Sequence, residues 1–209
     1  FFHERRFVIP LSGIPSQLVQ AFIAAEDSRF YEHQGVDFQS ILRAMVKNLE
    51  AGTIVQGGST ITQQVTKSFF LTPERSYVRK LKEAILAYRI SRAFTKEEVL
   101  FLYLNQIYLG HGAYGVEAAA QNYFDKTVAE LNLAECAVLA GLPQAPSRYS
   151  PYHHPERARQ RQLYVLQRML EEGFITAEEA ARARETPLDI HPRPNFFQEA
   201  APFYAEHVR

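Results

Sequence analysis

Cysteine is almost missing from this chain: Cys136, inside the run LAECAVLAGL, is the only one. A single thiol excludes an internal disulfide and a cysteine metal cluster, and it reads as a small core residue. Excess charge is missing too. Lys plus Arg and Asp plus Glu number 23 each, so no global field draws the chain to nucleic acid and any basic site must be local. The longest apolar run lies around residues 136–142, far short of the roughly 20 residues that a bilayer span needs. The chain starts at Phe1 with no basic-then-apolar leader, and it stops at PFYAEHVR; both ends are expected to be cut from a longer protein. Strand-like alternation is scarce, and no internal repeat or low-complexity tract is evident. What is present is an ordinary globular balance, 46% hydrophobic and 22% charged over 209 residues, enough for one large domain or one domain with a small lobe.

Helix signals fill the chain. FFHERRFVIPL predicts a short extended entry segment. Pro15 and Ser16 then open a helix over 16–27, which ends before HQGVD, where Gly35 permits a turn. Leu18, Val19, Phe22 and Ile23 fall on one face of this helix. In DFQSILRAMVKNLEAG, the residues Phe38, Ile41, Leu42, Met45, Val46 and Leu49 form a wide apolar stripe that stops at Gly52. Thr60 with Gln63, and Thr95 with Glu98, have capping-box spacing. Ile61, Val65 and Phe69 share one face of the helix that follows Thr60, with Thr60, Gln63 and Lys67 on another. Further helical stretches run to TAEEAARARE, and the domain is expected to span 1–186, with a polar, Pro-containing tail over 187–209.

Three polar clusters bear on chemistry. The stripe of the first helix continues onto Glu26, near the C-terminal end. A carboxylate there loses water and meets the negative pole of the helix, and both effects favour its protonated form. An enzyme that needs a base stronger than a free glutamate gains from this; the plainer reading is a helix end with solvated charges. In QGGSTITQQVTK, two glycines precede a helix start with Ser59, Thr60, Gln63 and Lys67 able to face an anion. The GxxxxGK[ST] pattern of a P-loop is absent, and an ordinary capped helix start is the plainer reading. PERSYVRKLKEA places Arg75, Arg79, Lys80 and Lys82 beside Glu83. Arg79 and Glu83 have surface ion-pair spacing, but in the order less helpful to a helix, which slightly disfavours that reading. Two glutamates point to glycosyl acid–base chemistry, and a local cationic cluster suits a phosphate leaving group.

With these residues in order, the sequence resembles the peptidoglycan glycosyltransferase domain (glycosyltransferase family 51) of class A penicillin-binding proteins. The motifs are EDSRFYEHQG at 26–35, GGSTITQQ at 57–64, RKLKE at 79–83, KEEVLFLYLN at 96–105 and RQLYVL at 161–166. The resemblance implies a mainly α, lysozyme-like fold, with a large helical lobe, a small membrane-facing jaw at about 35–60 and a cleft between them. It implies inverting polymerisation of lipid II, with Glu26 as general base and Glu83 as a second essential glutamate for positioning or metal assistance. Lys67, Arg75 and Arg79 match positions around the donor diphosphate. Ser59, Thr60, Gln63 and Gln64 match the pocket-lining motif, and Asp27, Phe30 and His33 match supporting positions. Ser68 departs from the Asn that many members carry. A divalent cation, magnesium or manganese, is expected on the diphosphate rather than in a protein cage.

Implied partners are the growing glycan strand and moenomycin-type inhibitors, together with a membrane anchor before Phe1 and a fused transpeptidase domain after PFYAEHVR. The implied location is the outer side of the bacterial cytoplasmic membrane. The stripe from Phe38 to Leu49 either dips into the membrane interface or packs on the main lobe. Two rivals stand: a lysozyme-like peptidoglycan hydrolase or lytic transglycosylase, which needs no cations for its leaving group, and a non-enzymatic assembly module.

Overall fold

The structure, a computed structural model, describes residues 5–52, 57–70 and 77–191. It is mainly helical, as expected. The helices are α1 (Ser16–Glu26), α2 (Phe38–Ala51), α3 (Ile61–Phe70), α4 (Tyr77–Ala93), α5 (Lys96–Gln106), α6 (Val116–Phe124), α7 (Leu133–Gly141), α8 (Pro155–Glu171) and α9 (Ala177–Glu185). The extended entry appears as β1 (Arg5–Arg6), which pairs in parallel with β2 (Ala113–Tyr114), so that Arg5 faces Ala113 and Arg6 faces Tyr114.

The core forms around α7, whose sequence LAECAVLAG is apolar nearly all round, as a helix buried on every side must be. It packs against α1 and α8, while α3 packs against α4 and α5. Cys136 is fully buried among them. Leu18, Phe22 and Ile23 of α1 lie in this core, with Val19 half-buried beside it. Small residues along α7 let α8 approach closely: a Cβ on Gly141 would sit 2.8 Å from Cγ of Arg161.

The predicted caps are present. Thr60 Oγ1 accepts from the Gln63 N–H at 3.1 Å, and Gln63 Oε1 accepts from the Thr60 N–H at 3.0 Å. Thr95 and Glu98 make the same reciprocal pair at the start of α5. Asp37 caps α2 through the N–H groups of Gln39 and Ser40. Gly52 closes α2 in a left-handed conformation.

One of the two readings left open for the α2 stripe is excluded. The α2 stripe is not packed on the main lobe: Phe38 is 78% exposed and Leu49 71%, and Ile41, Leu42, Met45 and Val46 are exposed with them. Of the side chains described on α2, only Ala44 is buried. On α3, Ile61 and Val65 are buried, but Phe69 and Phe70 are exposed, because the helix leaves the core in its last turn. Among the described residues, no helix is long and apolar enough to cross a membrane. Residues 192–209, most of the expected tail, lie outside those described.

Candidate active site

Glu26 is the last residue of α1, where the buried stripe runs out toward a cleft of about 510 Å³. The cleft is walled by the ends of α1 and α3, the 57–60 loop, the first turns of α4 and one face of α8. Of the predicted residues, Glu26, Asp27, Ser59, Thr60, Gln63, Gln64, Lys67, Arg79 and Glu83 all line it. Arg75 lies outside the described residues. Phe30 and His33 are buried and do not line the cleft; they support its wall from behind.

That support is specific. Asp27, just past α1, accepts from His33 Nε2 at 2.9 Å and from the backbone N–H of Ile61, the first residue of α3, at 3.0 Å. One carboxylate thus ties the loop after α1 to an otherwise unsatisfied helix N-terminus. Behind it, Lys96 Nζ donates to the His33 carbonyl at 2.7 Å and to that of Phe30, and lies 4.4 Å over the Phe30 ring. Burial lowers the Lys96 pKa, opposed by the charges of Asp27 and Glu97.

The three cleft carboxylates differ in their commitments. Asp27 is engaged as described. Glu83 is buried and held by two cations of its own helix: Arg79 Nη1 at 3.1 Å and Lys80 Nζ, which also donates to Ser59 Oγ at 2.8 Å. The Arg79–Glu83 ion pair disfavoured above is therefore formed; burial of the carboxylate outweighs the weak preference for the opposite order. Glu26 is different. It accepts from Gln64 Nε2 at 2.8 Å, and its nearest cation, Arg161 Nη2, stands 3.8 Å away. Burial raises its pKa above that of an ordinary carboxyl, opposed by the Gln64 hydrogen bond and by Arg161, and reinforced by Asp27.

Among the described residues, Arg43, Lys67, Arg79, Lys80, Arg161 and Arg168 line the cleft against those three acids. A chain of zero net charge therefore concentrates positive charge at one place, which suits an anionic group. Arg168 is partly occupied by Glu171 at 2.5 Å and by Glu172. Arg43, Lys80, Tyr164, Arg161 and Arg168 were not singled out from sequence as site residues. For the last three a signal existed: Arg161, Tyr164 and Arg168 recur at i, i+3 and i+7, one face of α8. Ser68 turns back on its own helix, donating to the Gln64 carbonyl at 3.0 Å, and is exposed.

Among the described residues, no group of three or more His, Cys, Asp and Glu is placed to hold a metal, and two of the three cleft carboxylates are already paired.

A family model described as Transglycosylase matches residues 2–170. The chain is 56% identical over 187 residues to Penicillin-binding protein 1A of Aquifex aeolicus (strain VF5), covering 90% of this chain and 26% of that protein. It is 51% identical to Penicillin-binding protein 1A of Rickettsia bellii (strain RML369-C), over 99% of this chain and 26% of that protein. It is 50% identical to that of Escherichia coli (strain K12), over 99% of this chain and 24% of that protein. The chain thus spans about a quarter of the length of these relatives. The crystal structure of Penicillin-Binding Protein 1A from Haemophilus influenzae matches with a TM-score of 0.58 at 28% identity, over 98% of this chain and 22% of that one.

Proposed function

The chain belongs to the transglycosylase family found in penicillin-binding proteins, and on that premise we propose that it polymerises lipid II into β-1,4 glycan strands. Glu26 takes the proton from the 4-hydroxyl of the acceptor sugar as that oxygen attacks C1 of the donor. The bond from C1 to the diphosphate oxygen breaks, the leaving group keeps the electron pair, and the configuration at C1 inverts. The proton rests on Glu26, and undecaprenyl diphosphate departs into the field of Lys67, Arg79 and Lys80; Arg75, outside the described residues, is assigned the same role on the family resemblance alone. Glu83 holds Arg79 and Lys80 in position rather than accepting a proton, because both of its oxygens are already paired.

One observation carries this reading: among the described cleft carboxylates, Asp27 is taken up by His33 and the Ile61 N–H and Glu83 by Arg79 and Lys80, whereas Glu26 has only a neutral amide at 2.8 Å and Arg161 at 3.8 Å, in a cleft that further cations line. Base and leaving-group stabilisers are the two parts an inverting transfer from a diphosphate donor requires. A lysozyme-like hydrolase requires only the first, since a sugar hydroxyl leaves without phosphate charge.

The divalent cation expected with such donors would ride on the substrate's diphosphate, and no step here depends on it. The exposed α2 face is assigned to the outer surface of the cytoplasmic membrane, where the lipid tails of donor and growing strand lie. A fused transpeptidase domain and sensitivity to moenomycin-type inhibitors belong to the same proposal.

The test is Glu26→Gln. Lipid II consumption should fall by about 10²–10⁴-fold, the usual worth of a general base. Polymerisation at the original rate refutes the assignment. Digestion of purified peptidoglycan, with lipid II left intact, favours the hydrolase instead.

A further inference from the structure

Glu26 is held by an amide, and an amide has two ends of nearly the same shape. The Gln64 NH2 facing Glu26 stabilises the carboxylate; the carbonyl oxygen in that place would repel it. The carboxylate itself favours the first orientation, and a partner on the far side of the amide reinforces that choice. Tyr103 on α5 is 98% enclosed in the protein by exposure (2% exposed), and its ring meets Phe22 of α1 edge-on, with centroids 6.0 Å apart at 81°. Its hydroxyl lies 3.5 Å from Gln64 Oε1, while Gln64 Nε2 donates to Glu26 Oε2 at 2.8 Å.

We propose that Tyr103 is a positioning residue for the base: its hydroxyl donates to Gln64 Oε1 and so fixes the Gln64 amide with its NH2 toward Glu26. The phenol is suited to this because it keeps its proton. Burial, with the Glu26 and Asp27 charges nearby, raises its pKa well above the ordinary tyrosine value. In this orientation Oε1 accepts the phenol hydrogen while Glu26 accepts from the NH2; turned over, the amide would still have the phenol oxygen as an acceptor, but its carbonyl oxygen would face Glu26. The contact is long for a hydrogen bond, so its effect is on orientation more than on energy. Three helices meet in the relay: α5 supplies the phenol, α3 the amide and α1 the carboxylate.

The consequence is electrostatic. With the amide fixed, its donation opposes the desolvation that makes Glu26 hold its proton. Without the phenol the amide is free to turn, Glu26 binds its proton more tightly, and the base is lost at a higher pH.

The inference rests on Glu26 being the base proposed above, and the experiment separates the two. Tyr103→Phe keeps the ring against Phe22 and removes one oxygen. The acidic limb of kcat/KM for lipid II should move upward by about half to one pH unit, the size expected for one neutral hydrogen bond. Gln64→Met should move the limb the same way, and adding Tyr103→Phe to it should move it no further. A merely structural tyrosine lowers the rate at every pH and leaves the limb in place. That result, or a full extra shift in the Gln64→Met background, overturns the relay. Isotope-edited infrared difference spectra against Glu26→Gln titrate the carboxyl without turnover. A midpoint that rises in Tyr103→Phe, in a protein inactive on lipid II, upholds the relay and refutes the function. A fixed midpoint in an active protein does the reverse.

Discussion

Glu26, the base proposed above, sits where burial works against the fold. Its position was legible because it continues the stripe of Leu18, Phe22 and Ile23, and burial does raise its pKa. A carboxyl whose folded pKa exceeds its unfolded value contributes most to stability in acid, where it is protonated in both states. That contribution falls as pH rises from the unfolded pKa through the folded one, because the unfolded chain releases its proton first. At neutral pH, Glu26 therefore works against folding. Glu26→Gln should raise the melting temperature at pH 7 by a few degrees, with the gain shrinking as the pH is lowered through that window. In the parent protein, activity should fall on acidification at a pH above about 4.3, the value for a free glutamate. Thermal melts and pH–rate profiles on the two proteins check both statements. A variant no more stable at pH 7 than the parent would show that Gln64 and Arg161 offset the desolvation.

Helices here are placed by their ends. The Gly35 carbonyl accepts from Thr60 Oγ1 at 2.6 Å, fixing the loop that opens α3, and Gly35 itself lies against α4 at φ +85°. A Cβ at this position would stand 2.4 Å from the Ala87 carbonyl oxygen and 2.9 Å from Ser91 Oγ. Gly35→Ala should destabilise the protein by about 2–4 kcal/mol, combining overpacking with left-handed strain. Gly52→Ala has the same strain at φ +63° but open space around it, so it should cost only about 1–2 kcal/mol. Urea denaturation midpoints compare the two; equal losses would show that the contact with α4 is unimportant. The contrast also marks what sequence could reveal. Gly35 as a turn, Gly52 as a stop and the Thr60–Gln63 and Thr95–Glu98 caps all depend on neighbours three or four residues away. That Gly35 touches Ala87, that Asp27 caps Ile61 and that Arg161 approaches Glu26 are facts of tertiary packing, with no local pattern to announce them. Lys80 stood in the sequence as one cation among four, and its bond to Ser59 appears only once the 57–60 loop lies against α4.

Across the whole molecule, the basic cleft and the apolar face of α2 occupy one neighbourhood: Gly58, in the cleft wall, lies close enough to Ile41 that a Cβ there would be 3.0 Å from its Cα. A substrate with a diphosphate head and a long lipid tail needs both surfaces within reach of one another. Water gains nothing from Phe38, Leu42 and Leu49 on a free surface, and a contiguous apolar patch of this kind marks an interaction site. Nor does the core lose anything without them, since they hardly touch it. Replacing all three with Gln should therefore leave the denaturant midpoint nearly unchanged, each exposed site contributing within about 0.5 kcal/mol. Binding to phospholipid vesicles should instead drop by about tenfold or more, the order expected for removing even one buried apolar side chain from an interface. Because the lost term is hydrophobic, the drop should persist in high salt, where contacts of Arg43 and Lys47 with headgroups are screened. Vesicle flotation at low and high salt reads both effects. Undiminished flotation of the triple variant would remove α2 from the membrane interface and leave its exposed face to a protein partner.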